Sequence, residues 1–337
     1  MFDIVTAGSI TLDTFIEPQE VHNFEKNNTD FFGFEVGGKI KMKTKAKHVG
    51  GGAANSAVGF TKMGLKTAAL GTLGQDEHAD YILHRLQQKN VDTQFIHWQK
   101  NHPSSASIIF NLPDGRRTVF HERTTALPFK RIPETKAIYV GHLAEAEENL
   151  FAQIDIWKTE SKIFAWNPGK TQFKKGFNFY ENVAKKCDIL ILNKEEAELF
   201  TGIIAPIVDG NLFSKKAICN SENTQEKIFD ATQLGKKFLT AGIKQIIITD
   251  GKKGAQYFSQ EHSSGLFVPQ IDMQKPVSTL GAGDSFSVGA VSAFMQKKSP
   301  QDMLLSGSLN AGSVVQFFGA QNGLLSKNEL EEKLKLI

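Results

Sequence analysis

The chain has 337 residues, of which 40% are hydrophobic and 22% charged, and its 29 glycines far outnumber its 10 prolines. This composition is typical of a folded enzyme or binding protein and excludes a disordered, collagen-like or disulfide-stapled chain. The 39 basic and 36 acidic residues give a net charge of only +3, which is too little to indicate a nucleic-acid partner. Only five of the basic residues are arginines, so an arginine pair stands out in this chain.

Neither cysteine chemistry nor membrane insertion is indicated. Cys187 and Cys219 cannot form a disulfide framework, and no cysteine and histidine cluster has the spacing of a zinc site. The longest apolar runs are far shorter than the roughly 20 residues that span a bilayer. The N-terminus has no basic region followed by an apolar stretch, so we expect no signal peptide, no membrane partner and a cytoplasmic location.

Short apolar runs alternate with longer amphipathic stretches, which predicts βαβ units, a mostly parallel sheet and hence an α/β fold. Strands are predicted, in chain order, at 4–7, 68–73, 137–140, 163–166, 189–192 and 245–249. Helices are predicted at 76–88 (with Asp76 as cap), 147–158, 179–186, 194–200 and 225–240. Two long helices follow, one that opens near Gly281 and one over 301–318.

Two segments interrupt this alternation. Residues 17–48 combine charges, phenylalanines and glycines, and residues 107–120 are typical of a hairpin with a Pro-Asp-Gly turn. We predict that both contribute to a small β-rich lid, built from about 15–48 and 101–127, over one edge of the sheet. The alternative is two unrelated surface excursions. Residues 203–224 look like a loop insertion that carries no chemical signal.

The strongest local signal is the sequence VSTLGAGDSF, which leads into a predicted helix. Gly281 and Gly283 allow a tight turn that exposes N–H groups at the helix N-terminus, where the helix dipole favours an anion such as a phosphate. Asp284 lies within this turn, as a general base beside a transferring phosphoryl group would. A carboxylate there is also a common helix cap, so this motif alone leaves both roles open.

A second glycine-rich segment has the sequence GGGAANSAVGFTKMG and runs into a predicted helix. Gly50, Gly51 and Gly52 permit close approach of the backbone to a ligand. Asn55 offers both a donor and an acceptor, which suits a sugar hydroxyl. The segment is not a dinucleotide-binding fingerprint, because the glycine spacing fails and no predicted strand runs directly into it.

Together, the two segments resemble the two signatures of the ribokinase-like carbohydrate kinases, the PfkB family. Further matches follow the family's order along essentially the whole chain. They are Asp13 in GSITLD, Asp76 in LGTLGQD, Asn193 and Glu196 in NKEE, Thr249, Gly251 and Gly254 in TDGKKG, and Asn310 in the last long helix. Each match is weak alone, and seven matches in the right order are strong.

The resemblance implies a ribokinase-like three-layer α/β/α domain over residues 1–337, with a mostly parallel central sheet and a β-sheet lid. It implies transfer of the γ-phosphoryl of ATP to a hydroxymethyl group of a sugar, most like ribokinase. Asp284 would be the base, and the amides of Gly281, Ala282 and Gly283 would form the anion hole. The residues that would bind the acceptor are Asp13, Gly50, Gly51 and Asn55.

The resemblance also implies a site for magnesium ATP. Residues that would contact the nucleotide are Asn193, Thr249, Gly251, Gly254 and, at the adenine, Asn310. Glu196, together with Asn193, would orient Mg²⁺ through water; Glu195 and Glu198 fit a solvated helix face better. The family usually has aspartate where this chain has Ser278, and that aspartate helps to hold a monovalent cation in potassium-activated members. We therefore expect little activation by potassium.

Other functions stay open at this level. A nucleoside kinase of the same fold would phosphorylate a ribose hydroxymethyl group too, and Phe31, Phe32 and Phe34 could cover its base. A phosphosugar kinase would need more positive charge than Arg116 and Arg117. One of the two could reach an anionic substrate, but a solvated hairpin explains the pair better. A non-catalytic sugar- or nucleotide-binding regulator would have no need for an intact base. A homodimer through the lid is a further possible assembly.

Overall fold

The structure is a computed structural model that describes residues 1–26, 29–112, 117–122, 131–143, 147–209, 227–271 and 276–337. The predicted Pro-Asp-Gly turn, Arg116, Cys219 and most of the 203–224 insertion lie outside these residues. No helix in the described ranges is long and apolar enough to cross a membrane.

The strands are β1 (Phe2–Ala7), β2 (Thr11–Pro18), β3 (His22–Lys26), β4 (Thr29–Gly33), β5 (Met42–Gly50), β6 (Thr67–Leu70), β7 (Thr72–Gly74), β8 (His97–Gln99), β9 (Ala106–Asn111), β10 (Arg117–Glu122), β11 (Thr135–Val140), β12 (Ile163–Trp166), β13 (Ile189–Asn193), β14 (Ile207–Asp209), β15 (Lys227–Phe229), β16 (Gln245–Thr249), β17 (Ala255–Ser259) and β18 (Leu266–Val268). The helices are α1 (Gly52–Lys62), α2 (Glu77–Gln88), α3 (Glu147–Trp157), α4 (Lys170–Lys175), α5 (Glu181–Ala184), α6 (Lys194–Thr201), α7 (Thr232–Thr240), α8 (Ala282–Met295), α9 (Pro300–Val314) and α10 (Lys327–Leu334).

An eight-stranded sheet forms the centre of the molecule, in the order β18-β17-β16-β13-β12-β11-β1-β6. The strands from β16 to β6 are parallel, whereas β17 and β18 continue the sheet as antiparallel strands at one edge. Both faces of the parallel strands are buried, which explains their nearly continuous apolar sequences. In β16, for example, Ile246 and Ile248 pack in one core cluster and Ile247 packs in the other. The fold class is therefore α/β, as predicted.

A second sheet has four strands in the order β10-β9-β2-β5. Strands β5, β9 and β10 come from the two segments that interrupt the α/β alternation, whereas β2 begins at Thr11, before the predicted lid; we call this sheet the lid sheet. Asp13, Phe15 and Ile109 lie on one face, because they occupy paired or alternate positions in the register. The hairpin β3–β4 lies on the other face, where Phe32 and Phe34 pack against Phe110 with ring centroids 6.3 and 5.6 Å apart.

Several predicted boundaries need correction. The helix predicted from 225 begins at Thr232, because Lys227–Phe229 instead pairs with Ile207–Asp209 as a short antiparallel ladder. The helix predicted over 301–318 ends at Val314, where the Val315 carbonyl accepts the amides of Val277 and Ser278.

Two further corrections concern strands. The strand predicted at 68–73 is two strands, because β6 pairs with β1 while β7 pairs with β8. The second glycine-rich segment begins at Gly50, which is the last residue of β5, although we predicted no strand running into this segment. The charged alternation of β5 hides it, since this strand belongs to the lid sheet and not to the buried centre.

Candidate active site

The loops that follow β1, β11, β13 and β16 meet at the carboxyl edge of the parallel strands, together with the N-termini of α1 and α8. Open α/β sheets bind their ligands at this edge. Gly52 at the start of α1 lies beside Asp284 of α8, since a Cβ built on Gly52 would lie 3.6 Å from Asp284 Oδ1. The two glycine-rich segments are thereby brought together across more than 200 residues of sequence.

Gly281 is the N-cap of α8, in the left-handed conformation at φ +80°. A Cβ at this position would overlap Ala320, so both the conformation and the packing require glycine. The first amides of a helix have no intrahelical acceptor, and a Cβ on Gly283 would meet open space. An anion could therefore approach the start of α8.

Asp284 is not the cap of α8. Its side chain accepts a hydrogen bond of 2.7 Å from Asn55 Nδ2. Burial raises the pKa of the Asp284 carboxyl, the Asn55 donor opposes that rise, and the Asp13 charge adds to it. The arrangement thus turns a carboxylate towards α1 and makes it a better proton acceptor than a solvated aspartate.

Asp13 is 7% exposed and accepts a hydrogen bond of 3.0 Å from Thr11 Oγ1. A Cβ on Gly50 would overlap the Asp13 carboxylate. Gly51 has φ +89°, and a Cβ there would overlap the Ser9 carbonyl. The structure therefore brings Asp13, Gly50 and Gly51 together, and Asn55 follows one turn later on α1.

Gln321 also belongs to this cluster, although the sequence reading missed it. Its Nε2 donates to the Val49 carbonyl at 2.9 Å and to Asn55 Oδ1 at 3.2 Å. It lies in the loop between α9 and α10, and no local pattern marks it. His142 was missed too, and a Cβ on Gly169 would overlap its ring. His142 could have been noticed, because it follows a predicted strand at the ligand-binding edge.

The residues predicted at the nucleotide phosphates lie on neighbouring strands. Asn193 of β13 pairs in register with Thr249 of β16. Asn193 also caps α6 in a reciprocal box, since its Oδ1 accepts from the Glu196 amide at 2.8 Å and its amide donates to Glu196 Oε2 at 3.0 Å. Gly251 and Gly254 form the turn from β16 to β17, both with positive φ.

Glu196 carries an electrostatic signature as well. Burial raises the pKa of its carboxyl, the Asn193 amide opposes this, and the charge of Asp284 raises it further. The pKa of Tyr139 is raised by burial and by the charges of both acids. Glu196 and Asp284 therefore lie within electrostatic reach of each other. No cluster of three metal-ligating side chains occurs among residues that the structure describes.

Asn310 lies in α9, the late helix in which the resemblance implies an adenine contact. Its side chain is fully buried, with Nδ2 donating to the Ser285 carbonyl at 2.7 Å and Oδ1 accepting from the Leu325 amide at 2.9 Å. A side chain enclosed in this way between α8 and the C-terminal loop has no surface for adenine. This burial gives no support to the adenine contact, which stays a prediction.

One contact crosses from the lid sheet to the loop that precedes α8. Arg117 of β10 donates from Nη2 to Thr279 Oγ1 at 3.0 Å, two residues before Gly281. None of the acidic side chains in the described ranges pairs with this guanidinium, which is charged at neutral pH. Arg117 is exposed, as is the rest of β10, so it is a solvated hairpin residue that also makes one contact across to the loop before α8.

Comparison with known proteins decides the family. The model of the pfkB family carbohydrate kinases matches residues 23–328. This chain belongs to that family. As a pfkB family member it is a sugar or nucleoside kinase, and its ribokinase-like fold agrees with the resemblance identified in the sequence.

Similar proteins include kinases with different acceptors. The 2-dehydro-3-deoxygluconokinase of Bacillus subtilis is 24% identical over 322 residues, which cover 91% of this chain and 93% of that protein. The nucleoside kinase of Methanocaldococcus jannaschii is 21% identical over 336 residues, or 99% and 97% of the two chains.

Two solved structures illustrate the shared fold. The M. jannaschii nucleoside kinase aligns with a TM-score of 0.74 at 20% identity over 99% of both chains. Arabidopsis thaliana ribokinase, solved with ribose and ATP, aligns with a TM-score of 0.73 at 20% identity over 99% of this chain and 98% of that one. At such identities the likeness concerns the fold alone.

Proposed function

We propose that this pfkB family kinase transfers the γ-phosphoryl of ATP to a hydroxymethyl group of a sugar, with Asp284 as the general base. One observation carries the proposal: Asp13, Asn55 and Asp284 are neighbours in a single polar cluster, next to the N-terminus of α8. Hydroxyl-binding groups, a base and an anion-binding turn are thus adjacent, which is what phosphoryl transfer to an alcohol requires.

The proposed chemistry follows from the positions of the two carboxylate oxygens of Asp284. Asn55 donates to Asp284 Oδ2, so Oδ1 on the Gly52 side takes the proton of the acceptor hydroxyl. The hydroxyl oxygen then bonds to the γ-phosphorus, the bond from phosphorus to the bridging oxygen breaks, and ADP leaves. The amides around Gly281, Ala282 and Gly283 stabilise the charge on the transferring group.

Magnesium fits the acids of this site. Mg²⁺ in kinases is commonly held by substrate phosphates, waters and one or two carboxylates, so the lack of a three-residue cluster in the described ranges does not oppose it. Glu196 and Asp284 raise the cost of each other's charge, and a divalent cation with the phosphates between them would relieve that repulsion. Glu196 and Asn193 would orient the hydrated ion, and ATP would lie over the carboxyl ends of β13 and β16.

A sugar is favoured over a nucleoside by the position of the aromatic lid residues. Phe32 and Phe34 pack against Phe110, on the face of the lid sheet opposite Asp13. They are therefore unavailable to cover a base held over Asp13. A nucleoside remains the rival acceptor, since the ribose hydroxymethyl group is common to both classes.

The test is an ADP-release assay with magnesium ATP and a matched acceptor panel: D-ribose, 2-dehydro-3-deoxy-D-gluconate, 5-dehydro-2-deoxy-D-gluconate and inosine. We expect a free sugar or sugar acid to give the highest kcat/KM. Inosine as the best acceptor would reverse the order of the two candidates. No acceptor-dependent ADP release with a broad panel of sugars and nucleosides would contradict the proposal.

A further inference from the structure

Gln321 occupies a position that no motif assigns. The loop that carries Gln321 contacts the residues around Asp284 from several sides. Ala320 packs on Gly281, Gly319 lies against the His48 ring, and the Leu324 carbonyl accepts from Lys62 Nζ at 2.7 Å. The loop is therefore fixed to α1, α8 and the end of β5, and the Gln321 side chain points between them.

The hydrogen bonds of Gln321 determine the orientation of two amides in succession. The Val49 carbonyl can only accept, so the atom of Gln321 that faces it is Nε2. Nε2 can only donate, so the atom of Asn55 that faces Gln321 is Oδ1. Asn55 must then turn Nδ2 towards Asp284, where it donates at 2.7 Å. The Val49 carbonyl of the lid sheet thereby determines that Asn55 presents its Nδ2 donor to Asp284.

We propose that Gln321 is a positioning residue for Asp284: through Asn55 it keeps a hydrogen-bond donor on Oδ2 and leaves Oδ1 to accept the proton. The inference rests on the proposed role of Asp284 as base. It also links the base to the lid, because Val49 precedes the Gly50–Gly51 turn at which the lid sheet joins α1. Movement of β5 at this turn would release Gln321 and with it the orientation of Asn55.

Loss of these successive hydrogen bonds should change the pKa of Asp284 in one direction. Besides Asn55 of α1, the titratable groups that interact electrostatically with Asp284 are Asp13 of β2, Glu196 of α6 and Tyr139 of β11. Two of these are acids, and Asn55 is the donor that opposes them. Without a correctly oriented Asn55, the pKa of the Asp284 carboxyl would rise. The base would then stay protonated, and therefore inactive, up to a higher pH.

The experiment is a pH titration of Asp284 itself, by carbon NMR of protein labelled at the aspartate side-chain carboxyl. The resonance is assigned by its loss in Asp284→Asn. In Gln321→Glu the carboxylate cannot donate, so Asn55 is drawn towards it. We expect the Asp284 titration to move up by about one pH unit, as the loss of one hydrogen bond to a charged group implies.

A second background separates orientation from added charge. In Asn55→Ala, Gln321→Glu should shift the Asp284 titration far less, because the amide that transmits the effect is absent. An equal shift in both backgrounds, or none in either, would overturn the proposal. Asn322→Asp, which makes the same change on the neighbouring residue of the loop, should leave the titration in place, and a shift like that of Gln321→Glu would be contrary evidence.

Should Asn55→Ala fail to fold, Gln321→Met replaces it. Methionine removes the donor without adding charge, and a smaller upward shift is expected; an unchanged titration would refute the role of the donor. Because NMR titration requires no turnover, an error in the choice of acceptor would not affect the result. If the Asp284 titration shifts as expected but the wild-type protein transfers a phosphoryl group to none of the acceptors, that result would instead count against the proposed function.

Discussion

At the scale of single residues, the proposed chemistry depends most on Asp284. Asp284→Asn should lower kcat roughly 100- to 10,000-fold, the usual effect of removing a general base. Affinity for magnesium ATP should change little, because the backbone amides at the start of α8 remain. Steady-state kinetics and calorimetric ATP titration measure the two effects.

A matched control is Asp302→Asn, the same substitution at the third position of the following helix, where Asp302 bonds Ser299 at the helix N-terminus. It should keep kcat within a few-fold of wild type. Turnover of Asp284→Asn close to that of this control would mean that another group takes the proton.

Asp13 tests the placement of the acceptor. Asp13→Ala should weaken acceptor binding by about 3 kcal/mol or more, since each hydrogen bond to a charged group contributes about 1.5–3 kcal/mol. ATP binding should be nearly unchanged. Asp13 belongs to the lid sheet, whereas ATP is proposed to bind at the carboxyl ends of β13 and β16 in the central sheet. Separate calorimetric titrations with ATP and with the preferred acceptor decide the matter; equal losses for both would indicate a folding defect.

At the scale of elements, the contact between β10 and the loop before α8 predicts a role for Arg117 in lid closure. Its guanidinium has donors to spare beyond the bond to Thr279. Arg117→Ala should lower kcat/KM for the acceptor by about 10- to 100-fold, as the loss of one or two charged hydrogen bonds implies. Arg117→Lys should recover part of the loss, because it keeps the charge but not the planar fork.

A double-mutant cycle with Thr279→Val shows whether the two residues act as a pair. If Arg117 acts through its bond to Thr279, Arg117→Ala should lower kcat/KM for the acceptor less in the Thr279→Val background than in the wild type. Strict additivity of the two substitutions would separate Arg117 from this loop.

The same loop predicts the response to monovalent cations. Ser278 replaces the family's aspartate and accepts a hydrogen bond of 3.3 Å from the Leu280 amide. Activity should require magnesium and change little when KCl replaces choline chloride at constant ionic strength. A steep, saturable rise specific to potassium would show that a cation site forms without the aspartate charge.

At the scale of the whole molecule, Asn310 joins α8, α9 and the C-terminal loop. Asn310→Ala leaves the buried Leu325 amide without its acceptor and removes a second bond, to the Ser285 carbonyl of α8, which should lower the free energy of unfolding by about 2–4 kcal/mol. The KM for ATP of the folded variant should stay near that of wild type. Asn149→Ala, a change at an exposed position of α3, is the control and should leave stability nearly unchanged. A raised KM for ATP at unchanged stability would support the adenine contact.

Local sequence determined the central elements of this protein. The buried strands and the boundaries of α2 and α6 could be predicted, because apolar periodicity and caps such as Asp76 and Asn193 act over only a few residues. The order of the motifs indicated the family, since glycine-rich turns and their neighbouring acids are local too. Nothing local marked the ladder of β14 and β15 or the end of α9 at Val314, which depend on partners distant in sequence.

Tertiary structure alone decided how the motifs cooperate. Gln321 reaches Asn55 across 266 residues, and Arg117 reaches Thr279 across 162. Neither contact is marked in the surrounding sequence, because a polar side chain has the same local sequence pattern whether it faces water or a distant partner. Likewise, only the register of the lid sheet reveals that Phe34 lies on the face opposite Asp13. Sequence therefore fixes which groups are available, and long-range packing fixes which of them meet.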